Sequence, residues 1–164
     1  MQEWAERKKR VTPNDELISR ALFHPRPEEP GYSPRGTPTQ TPCEGAVVCG
    51  YLHENRSSDV LLLFFHGNGE TAADYDRLRS VYTSCGASFW VVDYRGYGRS
   101  TGTPSFSDML RDAETVLDDV PRMAAHAGRQ STRVVVMGRS LGSAAAIHLA
   151  ATRPESLAGL VLDT

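Results

Sequence analysis

The feature that most constrains the fold of this chain is the stretch at residues 133–147. The apolar run Val134–Met137 leads into Gly138-x-Ser140-x-Gly142, and an alanine-rich apolar run follows. This pattern is typical of a buried strand, a tight turn and a buried helix, in that order. Glycine on both sides of the turn leaves room where side chains would clash with backbone. The stretch therefore predicts that Ser140 lies at the point of a strained strand-to-helix turn.

A serine at such a turn occupies a chemically distinctive position. The N-terminus of a helix has main-chain N–H groups without partners, and its dipole favours negative charge. An oxyanion formed when Ser140 attacks a carbonyl would find the N–H of Leu141 beside it. The alternative is that Ser140 is only the N-cap of a helix in some other α/β protein. The Gly-x-Ser-x-Gly motif indicates a nucleophile only where a strand, a turn and a helix surround it in that order.

Three further loops follow apolar runs and carry glycine or polar residues. The loops are His66-Gly67-Asn68-Gly69-Glu70 after Val60–Phe65, Asp93–Pro104 after Ser88–Val92, and the residues from Asp163 after Leu157–Leu162. Strands that alternate with helices predict a mostly parallel sheet with helices on both faces, a three-layer α/β sandwich. Because sites in such sheets lie at the carboxyl ends of the strands, we expect these loops and Ser140 to share one edge.

The remaining pattern predicts the other elements and a division of the chain. A strand is expected over 46–52, and helices over 14–23, from the end of the His66 loop to about residue 85, and over about 105–127 with Ser105 as the cap. Pro121 is expected to break or kink the last of these. Residues 1–42 are interpreted as a polar tail, a short helix and a Pro-rich loop, and residues 43–164 as the main domain.

The three motifs around His66, Asp93 and Ser140 resemble those of the α/β-hydrolase superfamily, in the same order along the chain. The nearest group is the small serine hydrolases that include protein depalmitoylases and serine aminopeptidase-like enzymes. The resemblance covers roughly residues 20–164. It implies that Ser140 is the nucleophile and that the main-chain N–H groups of Asn68 and Leu141 form the oxyanion hole. It also implies that His66 and Gly67 support the loop at residues 66–70. Gly138 and Gly142 would support the strand-to-helix turn at Ser140, called the elbow below.

Other readings of these loops stay open. Gly67 and Gly69 also fit a simple tight turn, and the Asp93 loop fits a structural role. Arg95 and Arg99 could bind a carboxylate or a phosphate, or could pair with Asp93 or Asp163. The sequence Gly96-x-Gly98-x-x-Thr101 lacks the third glycine of a dinucleotide fingerprint, so nucleotide binding is not expected.

The family pattern requires an acid and then a histidine after the serine. After Ser140 only His148 remains, and eight helical residues separate the two by about 12 Å. Asp163 is a possible acid, although the nearest group places its acid one strand later. We therefore expect an N-terminal part of a longer hydrolase, without the C-terminal strands and helices. The strand at 157–162 would then be an uncovered apolar edge, open to self-association.

Composition limits the partners. The net charge of −2 gives no reason to expect nucleic acid, and no apolar run reaches the length of a transmembrane segment. Three cysteines without metal-ligand spacing predict free thiols in a reducing, cytoplasmic location, with no metal and no cofactor. The predicted substrate is a carboxylic ester, thioester or amide in a small molecule or an acyl-protein or peptide. The alternatives are a catalytically inactive hydrolase-like fragment and a binding module.

Overall fold

The sheet of this protein has six strands, as seen in a computed structural model that describes residues 13–126 and 132–164. The strands are β1 (Thr37–Cys43), β2 (Ala46–His53), β3 (Val60–Phe65), β4 (Ser88–Val92), β5 (Arg133–Arg139) and β6 (Gly159–Asp163). Their order across the sheet is β1-β2-β4-β3-β5-β6. The predicted strands at 60–65 and 88–92 are confirmed to the residue, because continuous apolar runs fit strands that are covered on both faces.

Helices connect the strands and cover the sheet. They are α1 (Pro13–Leu22), α2 (Ala72–Arg77), α3 (Arg79–Thr83), α4 (Phe106–His126), α5 (Gly142–Thr152) and a 3₁₀ turn (Pro154–Ser156). Within the described ranges, no helix is long and apolar enough to cross a membrane. The predicted polar tail at 1–12 and the end of the helix at residue 127 lie outside the described residues.

The four strands β4, β3, β5 and β6 are parallel, whereas β1 and β2 are antiparallel to their neighbours. Phe65 at the end of β3 lies opposite both Val92 and Gly138. Arg139 at the end of β5 lies opposite Asp163. This register brings the carboxyl ends of the parallel strands to one edge, which confirms the predicted mostly parallel α/β fold.

Apolar side chains pack on both faces of the sheet. Leu63 and Phe65 belong to the larger core under α4 and α5, and Phe64 faces a smaller aromatic core under α2. These side chains are almost completely buried, and each contributes about 1.5–3 kcal/mol to folding relative to an exposed one. The central strands are therefore a rigid base for the loops at their ends.

The Pro-rich segment differs from the prediction. We expected an extended loop up to residue 42, but residues 37–43 form β1, which pairs with β2. Prolines are tolerated there because β1 is an edge strand with a single neighbour in the described sheet. Thr39 and Thr41 are buried against the core, which gives this polar strand a covered face. The division of the chain at residue 42 stays a prediction, and β1 hydrogen-bonds across it.

Two helix predictions also need correction. The expected helix before residue 85 is interrupted at Leu78 and forms the short α2 and α3. Leu78 and Val81, whose helical spacing favours a buried face, are instead exposed. Pro121 does not end α4, which continues to His126. Ser105 caps α4 as predicted, since its hydroxyl accepts the Asp108 N–H at 3.1 Å.

Candidate active site

Ser140 occupies a strained turn between β5 and α5. It has φ of 48°, and no other non-glycine residue in the described ranges has a positive φ. Main-chain hydrogen bonds hold the turn on both sides: the Ser140 N–H donates to the Asp163 carbonyl at 2.8 Å, and the Ser140 carbonyl accepts the Ser143 N–H at 3.0 Å. The residue is exposed, so its side chain is accessible to solvent at the beginning of α5.

The two glycines of the motif allow the turn to pack closely. A Cβ atom on Gly138 would overlap the main chain of Gly142 and Ser143. A Cβ atom on Gly142 would overlap the carbonyl groups of Phe65 and His66. The beginning of α5 therefore lies directly against the end of β3, where the His66 loop starts.

His66 is buried and shapes that loop. Its Nδ1 donates to the Gly67 carbonyl at 2.8 Å, and its own carbonyl accepts the Tyr94 hydroxyl at 2.6 Å. Its Nε2 lies 3.2 Å from Oδ1 of Asp93, without the geometry of a hydrogen bond. The ring is inaccessible to a substrate, so this arrangement fits loop support.

Glu70 connects the loop to the elbow, a role that sequence reasoning missed. One carboxylate oxygen accepts the Gly67 N–H at 2.7 Å and the Tyr75 hydroxyl at 2.6 Å, and the other lies 3.3 Å from Nε of Arg139. Burial and the hydrogen bond to Glu70 raise the pKa of Tyr75, so Tyr75 stays protonated and donates. Glu70 thus joins the His66 loop, α2 and the residue before Ser140.

The side-chain amide of Asn68 is fully used by its neighbours. Its Oδ1 accepts the His24 N–H at 2.9 Å and the Tyr97 hydroxyl at 2.7 Å. Its Nδ2 donates to the Leu22 carbonyl at 2.5 Å and contacts Nδ1 of His24 at 2.8 Å. These contacts fix the position of Asn68. In the part of the chain that the structure describes, the main-chain N–H groups of Asn68 and Leu141 donate to no other residue.

His24 is therefore close to the site, although its position in the sequence does not indicate this. The segment after α1 crosses both the His66 loop and the Asp93 loop, where Arg26 and Glu28 hydrogen-bond to the main chain of Gly98. The contact between His24 and Asn68 joins residues 44 positions apart. The only signal in the sequence was the unusual length of the Pro-rich segment, since long ordered loops often belong to sites.

Asp163, the possible acid, is paired with an arginine and with no histidine in the part of the chain that the structure describes. Its carboxylate pairs with Nη1 of Arg139 at 2.7 Å, and its carbonyl accepts the Ser140 N–H. A triad acid would instead orient a histidine. Asp163 thus braces the elbow from β6.

The other histidines with described side chains also have partners away from the elbow. Nε2 of His148, two turns along α5 from Ser140, lies 2.6 Å from Oε1 of Glu114 on α4. Nε2 of His53 lies 3.0 Å from Oδ1 of Asp76 at the opposite edge of the sheet. Side-chain contacts of His126 are outside the described set. No histidine is seen paired with Ser140 among the described residues.

Hydrogen bonds of Asp93 and Arg95 connect the Asp93 loop to α2 and α4. Asp93 is buried and accepts the Ala72 N–H at 2.8 Å. Arg95 forms a bidentate pair with Asp112, at 2.7 and 2.8 Å, and not with either predicted partner, Asp93 or Asp163. Its guanidinium is therefore committed to α4. Among the described residues, no group of three potential ligands is placed to hold a metal ion.

Comparisons with known proteins agree with this geometry. A family model described as "Serine aminopeptidase, S33" matches residues 56–163. The chain is 33% identical over 111 residues to protein bem46 of Schizosaccharomyces pombe, covering 67% of this chain and 36% of that protein. It is 32% identical over 103 residues to the α/β-hydrolase domain-containing protein WAV2 of Arabidopsis thaliana, covering 62% of this chain and 32% of that protein. The chain thus spans about a third of the length of these relatives.

Solved structures show the same fold. The esterase Pf2001 of Pyrococcus furiosus superposes with a TM-score of 0.66 at 17% identity, over 84% of this chain and 56% of that one. The match to the family model includes the loop at residues 66–70, the Asp93 loop and the elbow. The chain therefore belongs to the serine aminopeptidase S33 family within the α/β-hydrolase superfamily.

Proposed function

We propose that this protein is a serine hydrolase that cleaves a carboxylic ester, thioester or amide through an acyl-enzyme on Ser140. The observation that carries the proposal is the exposed Ser140 with positive φ at the beginning of α5. Attack by its hydroxyl on a substrate carbonyl would form the ester bond of the acyl-enzyme and release the alcohol, thiol or amine. Water would then hydrolyse that ester and free the serine.

The proposed oxyanion hole consists of the main-chain N–H groups of Asn68 and Leu141. Its support is the close packing of Gly142 against Phe65, which brings the start of α5 beside the His66 loop. Loss of one such donor raises the barrier by about 3 kcal/mol. The four contacts of the Asn68 side chain supply the rigidity that a preorganised donor requires.

The proposed general base and its acid come from outside the 164 residues. His24 is the histidine with a contact to the proposed oxyanion loop, but its Nδ1 faces an amide nitrogen that can only donate. Nδ1 therefore accepts and Nε2 carries the proton, so the ring has no free lone pair to take the serine proton. His66 and His148 are committed elsewhere.

The proposed substrate class rests on the chemistry of a serine nucleophile. An esterase shares the fold, and ester, thioester and amide bonds all yield the same tetrahedral oxyanion. Both small molecules and acyl-proteins or peptides fit an exposed serine. We place the enzyme in the cytoplasm, since Cys43, Cys49 and Cys85 are all free thiols.

A fluorophosphonate probe tests the proposal, with the site of labelling read by mass spectrometry. The full product of the gene is expected to form an adduct on Ser140 that Ser140→Ala abolishes. The control Ser57→Ala, which removes another exposed serine, should leave labelling unchanged. The 164-residue polypeptide should react slower by about 10⁴-fold or more, because loss of the orienting acid of a triad alone costs about that factor.

Two results would contradict parts of the proposal. If neither polypeptide is labelled at Ser140, the chain is an inactive hydrolase-like fragment or a binding module, which the lack of a histidine paired with Ser140 in the described residues would then explain. If the 164-residue polypeptide reacts as fast as the full product, the base lies within this chain.

A further inference from the structure

A polar groove lies at the end of the sheet opposite to Ser140. It begins at His53, which ends the antiparallel β2 and lies opposite Phe89 near the start of β4. The groove has a volume of about 680 Å³, within the size of small-molecule sites. Its lining residues that matter for binding are Arg35, Thr37, His53, Asn55, Arg56 and Arg79.

The charge of this groove is predominantly positive. Three guanidinium groups, those of Arg35, Arg56 and Arg79, line it, whereas Glu54 is the one acidic residue in its lining. Glu54 is only loosely paired with Arg56, at 3.8 Å. The excess positive charge would attract an anion and raise its local concentration.

Two of these arginines have no acidic partner among the residues that the structure describes. Among described residues, neither Arg35 nor Arg79 forms an ion pair. Most other described arginines do: Arg26, Arg77, Arg95, Arg111, Arg122, Arg133, Arg139 and Arg153 all lie within 4.0 Å of a carboxylate. Two guanidinium groups available for a ligand thus line the same groove.

A buried network fixes the wall that carries Arg35. The carboxylate of Asp76 is fully buried and accepts the N–H groups of Arg35 and Gly36 at 2.9 and 2.7 Å. It also accepts the hydroxyl of Tyr32. Burial acts to raise the pKa of Asp76, but the hydrogen bonds from Tyr32, Arg35 and Gly36 lower it overall. The Asp76 carboxylate therefore binds main-chain N–H groups and a hydroxyl, and no described carboxylate pairs with the Arg35 guanidinium.

Arg79 lines the groove close to His53. Burial and the positive charge of Arg79 lower the pKa of the His53 ring, whereas Asp76 acts to raise it. His53 is thus predominantly neutral near pH 7, and the arginines supply the charge. Thr37 adds a neutral hydroxyl group to the lining.

We propose that this groove binds a small molecule bearing a phosphate group, with Arg35 and Arg79 contacting the phosphate oxygens and Arg56 adding charge at the rim. A guanidinium presents a planar fork of donors that matches phosphate oxygens in pairs. The site lies at the opposite edge of the sheet from Ser140, so it is independent of the proposed hydrolysis. Phosphate binding there does not require the serine.

Calorimetric titration with inorganic pyrophosphate at low ionic strength tests the proposal. We expect saturable binding that Arg35→Gln and Arg79→Gln each weaken by about tenfold, the loss of one charged hydrogen-bonding group. The matched control Arg133→Gln removes an exposed arginine that is paired with Asp59 and lies outside the groove. It should leave the affinity unchanged.

A second measurement needs no variant. In NMR titrations of the unmodified chain, the amide signals of Gly36, Asn55 and Thr83 should shift with the same dissociation constant. Absence of saturable binding would overturn the proposal. An equal loss of affinity with Arg133→Gln, or shifts spread over the whole surface, would also overturn it, because either result means unspecific attraction to positive charge.

Discussion

Only glycine fits at position 142 without overlap. Its Cα packs against the end of β3 so closely that any side chain would overlap the Phe65 carbonyl. The obstacle is backbone in the middle of the sheet, which cannot move aside as a flexible side chain can. The strained φ of Ser140 two residues earlier depends on this contact, since local strain persists only where the surroundings determine it.

Gly142→Ala is therefore expected to lower the free energy of unfolding by about 2 kcal/mol or more, the cost of overpacking against rigid structure. Urea unfolding followed by circular dichroism measures the change. The control Gly159→Ala adds the same methyl group in β6, where it would only contact the side chain of Val135 at 3.7 Å. A Gly142→Ala protein as stable as the Gly159→Ala protein would show that the elbow does not pack as described.

At the scale of elements, the loop between β3 and α2 is held by one carboxylate. Glu70 binds the Gly67 N–H, the Tyr75 hydroxyl and the Arg139 guanidinium, so it joins three separate parts of the chain. The peptide that follows Gly67 carries the proposed oxyanion donor of Asn68. The rigidity of that donor therefore depends on the contact of Glu70 with Gly67 and on the contacts of His24 with the Asn68 side chain.

Glu70→Ala should loosen this loop without unfolding the protein. We expect hydrogen exchange of the Gly67 amide to rise by about tenfold or more, because it loses a hydrogen bond to a charged acceptor. Exchange measured by NMR gives the effect without any assumption about catalysis. The control Glu155→Ala removes an exposed glutamate that only approaches Arg153, at 3.9 Å, and should leave Gly67 unchanged. Unaltered exchange in Glu70→Ala would mean that other contacts order the loop.

Elements with a strong local pattern could be predicted from the sequence, and those set by distant contacts could not. The apolar runs of β3 and β4 favour strands because both faces are buried. The glycines around Ser140 indicate a tight turn because side chains there would overlap the backbone. β1 carries prolines and threonines, and it becomes a strand only because β2 pairs with it. The break at Leu78 likewise has no glycine or proline to mark it.

The candidate site divides in the same way. Gly138, Ser140 and Gly142 are close in sequence, so their spacing revealed them. The contacts of Glu70 with Arg139 and of His24 with Asn68 join parts of the chain far apart in sequence, and they exist only once the parallel strands align their ends. Residue types alone give no sign of such partners, which is why both were missed.

For the molecule as a whole, the outer side of β6 is the feature that most affects its behaviour in solution. In the described sheet β6 pairs only with β5, and Leu160, Val161 and Leu162 are 41–43% exposed. An apolar strand with free N–H and carbonyl groups is a template for another strand. We therefore expect the 164-residue polypeptide to self-associate as its concentration rises, and Val161→Lys to reduce this by adding charge to the edge. Sedimentation velocity at several concentrations measures the effect.

The control Leu17→Lys changes an even more exposed leucine on α1, where no strand edge exists, and should leave association intact. A polypeptide that stays monomeric at all concentrations, or one that both variants disperse equally, would show that β6 is not the contact.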